Sequence, residues 1–154
     1  MTEELRQKLY ERCGRSTACR RAVDYYIALL QNPCYPPSKM TYRMRQFYME
    51  IVKEYGLPPR CDVGKLVVER LRGTMLERYA YEVAEFAEVV KNRFHMTSRV
   101  AAAVAAVVVA ESHGVAVVRA SVAERFGASH AAVLQWIKKA YELYSEYIKA
   151  RRVL

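Results

Sequence analysis

Residues Val118 to Lys139 read VRASVAERFGASHAAVLQWIKK, and their spacing spells a helix, a tight turn and a second helix. Ala123 falls where the second helix has to cross close over the first, and its single methyl leaves the room. Gly127, four residues on, takes the positive φ that ends a helix at little cost. Ser129 follows in a position to cap the next helix. Val133 and Trp136, with Ile137 and Ala140, repeat at helical spacing on one face and are expected to lock the pair together. The opposite face carries Ala131, Gln135, Lys138 and Lys139, the residue types shown by a helix that enters a DNA major groove. Two short helices that merely pack together would share the apolar spacing, so the polar face carries the DNA-binding content of the pattern.

Helical periodicity extends upstream. Glu3–Arg12 and Thr17–Leu30 read as the first two helices, with Pro36 and Pro37 breaking the chain after them. Lys39–Tyr55 is amphipathic: Met44, Phe47, Tyr48, Ile51 and Tyr55 share one face, and Arg43, Gln46, Glu50 and Lys53 lie opposite. That Tyr- and Arg-bearing stripe reads as core plus solvated face before it reads as a second nucleic-acid surface. Gly56 and the pair Pro58–Pro59 mark the main internal boundary, giving two parts, 1–60 and 61–154. Asp62 caps a helix to Leu71, and Thr74 with Glu77 forms a capping box for a long helix reaching Asn92. Ser98 opens an Ala- and Val-rich helix to His113 that is apolar on every side, the mark of a buried central helix. Gly114 closes it. Period-two alternation is weak throughout, so the fold class is all-α.

Apolar residues make up 53% of the 154, enough for a core, and the formal net charge of +9 favours a polyanionic partner, most often nucleic acid. The excess is spread over both halves rather than gathered in a tail. Arg outnumbers Lys while Asn and Gln are scarce, as in thermophile proteins. Thr2–Tyr10 is too polar for a signal peptide. The apolar run Val100–Ala110 is shorter than the ~20 residues that a spanning helix needs. A soluble, cytoplasmic protein without membrane association is expected.

The four cysteines, Cys13, Cys19, Cys34 and Cys61, contain no Cys-x2-Cys pair, so no metal site is expected. Intracellular disulfides do occur in hyperthermophiles. A helix over Thr17–Leu30 separates Cys19 from Cys34 by roughly 20 Å at ~1.5 Å per residue, beyond the ~7 Å that a disulfide tolerates between Cα atoms. Two pairings remain: Cys13–Cys19 with Cys34–Cys61, or Cys13–Cys34 with Cys19–Cys61. The first is preferred, because an antiparallel turn between the first two helices brings Cys13 to Cys19.

From Asp62 onward the order is helix, long helix, buried Ala-rich helix, short helix, turn, last helix. That order, with VAAAVAAVVVAESHG followed by VAERFGAS, resembles a cyclin-like repeat of archaeal transcription factor B and its eukaryotic counterpart TFIIB. The family's Val-Ala-Glu-x-x-Gly-x-Ser segment is matched by Val122, Ala123, Glu124, Gly127 and Ser129. Upstream, TYRMRQFYMEIVKEYGLPPRCDVGKLVVERL resembles the family's join between its two repeats, so the resemblance covers about Thr41 to Ile148. It implies a cyclin-like helical bundle, one near-complete five-helix repeat after a partial first one, with the helix-turn-helix at 118–140. It also implies double-stranded DNA contacts from Ser129, His130, Ala131, Gln135, Lys138 and Lys139, with Arg119 and Arg125 near phosphates. TATA-binding protein is the partner that the family implies. No zinc ribbon precedes the core and the first repeat is short, so contact with RNA polymerase is not expected. Arg99 stands where the family usually has Pro.

The reading is therefore a DNA-binding transcription regulator or accessory factor with no cofactor. Its rival is a protein-interaction module of the same fold, since Glu142 and Glu146 dilute the positive charge along the last helix. An enzyme is not expected: His95, His113 and His130 are far apart, with no acid or nucleophile at a recognisable spacing. Glu82, Glu85 and Glu88 read as the solvated side of the long helix.

Overall fold

The computed structural model describes residues 2–35 and 38–153, so the break expected at Pro36 and Pro37 lies outside the described residues. The chain is all-α, with eight α-helices and one short 3-10 turn among the described residues. It divides into two compact units, Met1–Cys61 and Asp62–Leu154.

In the first unit, α1 (Thr2–Cys13), α2 (Thr17–Gln31) and α3 (Tyr42–Tyr55) pack α2 against both neighbours. Ser16 caps α2 by accepting from the Cys19 amide at 3.2 Å. Thr41 does the same for α3 through the Met44 amide, so α3 starts three residues later than the sequence pattern suggests. Leu9, Ala22, Val23, Tyr26, Ile27, Met44 and Ile51 form the core. Tyr26 is buried, with its hydroxyl donating to the Gly56 carbonyl at 2.7 Å, so no buried polar group is left unmet there. Tyr55, expected on the buried face of α3, is 38% exposed at the last position of the helix.

Both preferred disulfides are present. Cys13 and Cys19 bridge the α1–α2 turn with Cα atoms 5.4 Å apart. Cys34 and Cys61 join the two ends of the segment that contains α3, at 4.6 Å. A three-helix unit with so few core residues is the size at which covalent closure matters most.

The second unit contains α4 (Val63–Leu71), the 3-10 turn Glu77–Tyr79, α5 (Ala80–Phe94), α6 (Ser98–Ser112), α7 (Arg119–Arg125) and α8 (His130–Val153). Asp62 caps α4 through the Lys65 amide, as expected. Helix α6 is the centre: Ala101 to Ala110 are all 0–1% exposed, and α4, α5, α7 and α8 pack around it. Its Ala and Val side chains let four helices approach one axis from all sides. Ser98 is its first residue, as expected, and Thr97 is its N-cap, accepting from the Val100 amide.

The capping box expected at Thr74–Glu77 does not open a helix. The Thr74 amide is already taken by the Leu71 carbonyl, so Glu77 bonds the amide of Gly73 instead, at 3.3 Å. Thr74 Oγ1 donates to the Leu71 carbonyl at 2.7 Å and accepts from the Leu76 amide. Those bonds fold residues 71–77 back onto the end of α4, and α5 begins only at Ala80.

Candidate nucleic-acid interface

Helices α7 and α8 meet through the turn that the sequence anticipates. Gly127 has φ +69°, its amide donates to the Glu124 carbonyl, and the Ala128 amide donates to the Ala123 carbonyl at 2.9 Å. These are the two bonds of a Schellman stop. Ser129 then caps α8 by accepting from the Ala132 amide at 3.1 Å. The buried residues of this segment are Ala123, Phe126, Val133, Ile137 and Ala140. Trp136, expected in the α7–α8 seam, is half-buried instead: its ring lies 5.3 Å from that of Phe94 at the end of α5. Phe126, fully buried one residue before the glycine, does the wedging expected of Trp136.

Beneath the turn lies Arg99, only 7% exposed, whose Nη1 donates to the Phe126 carbonyl at 3.3 Å. A Cβ on Gly127 would stand 2.1 Å from that nitrogen, so a side chain there would be strained by φ and would also have to shift the end of Arg99. Burial, and then the nearby Arg70, hold the Arg99 guanidinium below its ordinary pKa. Arg70 and Arg125 each donate to the other's carbonyl, at 2.9 and 3.1 Å, and so fasten the end of α4 to the end of α7. Three cations thus gather where helix C-termini present unpaired carbonyls, the favourable end of the helix dipole.

Of the eight residues expected at a DNA surface, Ser129, His130, Ala131, Gln135, Lys138 and Lys139 are all exposed on the N-terminal half of α8. At ~100° per residue, Ala131, Gln135 and Lys138 share one stripe. Lys139 flanks it, with Nζ 5.3 Å from the centre of the Trp136 ring. Exposed Leu134 adds an apolar contact within the stripe. From His130 to Lys139 the helix rises roughly 14 Å at ~1.5 Å per residue, close to the ~12 Å width of a major groove.

Arg119 and Arg125 are employed elsewhere. Arg119 makes a bidentate pair with Glu111, Nε to Oε2 at 3.0 Å and Nη2 to Oε1 at 2.8 Å, and Tyr141 donates to the same carboxylate. The Arg119 bond holds the Glu111 carboxyl below its usual range, while burial and then Glu111 push the Tyr141 hydroxyl up to about 12. Arg119 is therefore a neutralised fastener between α6 and α7. Arg125 is exposed, with one nitrogen fixed on the Arg70 carbonyl.

Glu85 and Glu88 lie exposed on α5, as expected of its solvated side, whereas Glu82 is half-buried. Glu82 accepts from Tyr144 and lies 2.6 Å from His113 Nε2, whose ring stacks on Tyr79 at 4.5 Å. Glu85 pairs with Arg151 at 3.6 Å. This network ties α5 and α6 to α8. Among the described residues no three His, Cys, Asp or Glu side chains are grouped to hold a metal ion, and no helix is long and apolar enough to cross a membrane. On α3 in the first unit, Tyr42, Arg45, Gln46, Met49, Glu50 and Lys53 form an exposed strip of mixed charge.

No family model, curated protein or solved structure matches the chain.

Proposed function

We propose that this chain is a DNA-binding transcription regulator or accessory factor resembling the cyclin core of transcription factor B. One observation carries the reading: an exposed stripe of Gln135, Lys138 and Lys139 on a helix whose entry is fixed by a Schellman turn, a serine cap and a buried phenylalanine. Among the described residues no carboxylate pairs with Lys138 or Lys139. The five-helix arrangement around α6 is compatible with a cyclin-like repeat, and a cytoplasmic location goes with the reading.

In this mechanism Lys138 and Lys139 bind phosphates and Gln135 reads a base edge, with the amides at the start of α8 available to a phosphate. TATA-binding protein is the partner to test. Duplex DNA titrated over a salt series, with and without that protein, decides the matter. Replacing Lys138 and Lys139 with Ala should weaken binding to all sequences and flatten the log–log salt slope by about 0.9 per lost phosphate contact. Gln135→Ala should instead relax discrimination at one base pair by ~1–3 kcal/mol. No DNA affinity at low salt, with or without the partner, refutes the proposal. A protein-interaction module is the second reading, favoured by an apolar groove beside α7.

A further inference from the structure

That groove has a volume of about 470 Å³ and lies between the loop after α4 and the segment leading into α7. Leu71, Met75, Leu76, Val117, Val118 and Val122 supply its apolar surface. Met75 and Val118 are 72% and 68% exposed, an unusual degree of exposure for two large apolar side chains lining one concavity. Residues 115–118 join α6 to α7 outside any helix. Among the described residues, the amides of Ala116, Val117 and Val118 make no hydrogen bond within the protein. The wall of the groove therefore offers an open backbone edge of the kind that an added strand uses.

The electrostatics at one end are equally specific. Arg125 is the single charged residue lining the groove. Its carbonyl and that of Phe126, another lining residue, are held by Arg70 and Arg99. Arg70 and Arg125 pair with no carboxylate among the described residues, and exposed Arg72 adjoins the lining residues Leu71 and Gly73, opposed there by the carboxylate of Glu77 on the Gly73 amide. Apolar floor, open amide edge and cationic end together select a short acidic segment with apolar side chains at alternate positions. We infer that the groove between the α4–α5 loop and α7 is a docking site for an extended acidic–apolar peptide segment of a partner protein. This deepens the interaction-module reading and holds whether or not α8 binds DNA.

The probe is a labelled 12-residue peptide of alternating Leu and Glu. It is compared with one carrying Lys for each Glu and one carrying Ser for each Leu, by fluorescence anisotropy at physiological salt. The Leu/Glu peptide should saturate the full chain, and each control should bind at least tenfold more weakly. Met75→Asp and Val118→Asp should each weaken binding at least tenfold. Both positions are on the surface, and Asp at 118 is a good N-cap for α7, so the fold is kept. With 13C-labelled methionine methyls, the Met75 signal should move on peptide addition while that of Met44 in the first unit stays. Equal affinity for the Glu and Lys peptides, parent-like binding by both variants, no saturation, or an unmoved Met75 methyl overturns the inference. So does a Met75 shift caused by duplex DNA instead of peptide. Loss of DNA binding by the Lys138 and Lys139 variants with peptide binding intact would separate the two readings.

Discussion

Replacing Gly127 with Ala tests the geometry that presents α8, and its cost can be worked from the contacts. At φ +69° a side chain with a Cβ is strained by roughly 1–2 kcal/mol. The added methyl also stands 2.1 Å from Arg99 Nη1 and has to displace the guanidinium from the Phe126 carbonyl. A hydrogen bond from a charged donor contributes about 1.5–3 kcal/mol, so the total loss should be about 2.5–5 kcal/mol. Arg99→Ala alone loses the same bond and no more than that from this contact. The double variant loses the bond once and keeps the backbone strain, so it should resemble Gly127→Ala rather than the sum. The coupling should therefore equal the shared bond, about 1.5–3 kcal/mol. Urea unfolding followed by the fluorescence of Trp136, the one tryptophan of the chain, reports on the second unit directly. If Gly127→Ala melts like the parent, or if the two changes add within ~0.5 kcal/mol, Arg99 does not brace the turn.

Val104→Asp or Val107→Asp places an unpaired charge where both valines are 0% exposed, and should cost several kcal/mol; a parent-like melt would remove α6 from the centre. Reducing the two disulfides should lower stability by roughly 2–4 kcal/mol for each, and mass spectrometry of unreduced digests should find Cys13–Cys19 and Cys34–Cys61; four free thiols or a Cys13–Cys34 crosslink contradicts the pairing. Burial first, and then Glu111 or Glu82, push Tyr141 and Tyr144 up to about 12, so the folded state favours their neutral forms. Their contribution is complete below pH ~10, the ordinary tyrosine value, and is lost as pH rises through 10 toward 12; a flat unfolding free energy over that window, measured in urea at each pH, would contradict it. Glu111 has the opposite sign: its pKa is depressed by Arg119, so its contribution is present above the usual carboxylate range and falls away in acid. Glu111→Gln should remove that acid-side dependence.

What was legible in the sequence is what depends on neighbours along the chain. The Ala123–Gly127–Ser129 spacing specifies a stop and a cap within one turn of backbone, and both are made by local hydrogen bonds. The all-apolar run at 100–110 permits one environment, the centre. A rigid helix excluded Cys19–Cys34, and the antiparallel turn between the first two helices favoured Cys13–Cys19 with Cys34–Cys61 among the two pairings left. What was not legible depends on groups distant in sequence. Trp136 turns to Phe94, 42 residues away, and Arg119 is held by Glu111 across a helix break. The Thr74–Glu77 signature failed because the Leu71 carbonyl had claimed the Thr74 amide. One signal was present and specific: Arg99 is a charge immediately before the most apolar stretch of the chain. A buried cation needs acceptors, and the end of α7, 27 residues on, provides one.

The use of arginine at carbonyls rather than at carboxylates has a consequence for both proposed surfaces. A guanidinium paired with a carboxylate, like Arg119 with Glu111, contributes little field beyond its own site. One that donates to a backbone carbonyl fastens two helices and keeps its whole unit of charge. Arg70 and Arg125 do this, so the end of α7 is both rigid and cationic. At the turn that fixes α8, Arg70, Arg99 and Arg125 are thereby held on backbone carbonyls, while Glu82, Glu85 and Glu111 are occupied in the α5–α6–α8 network. Such a division leaves Lys138 and Lys139 free to meet an anion on α8, and leaves the groove beside α7 with a fixed cationic end. Arg119 then serves the packing of α6 on α7 and Lys138 faces outward, so substitutions at Arg119 and at Lys138 should be separable in effect.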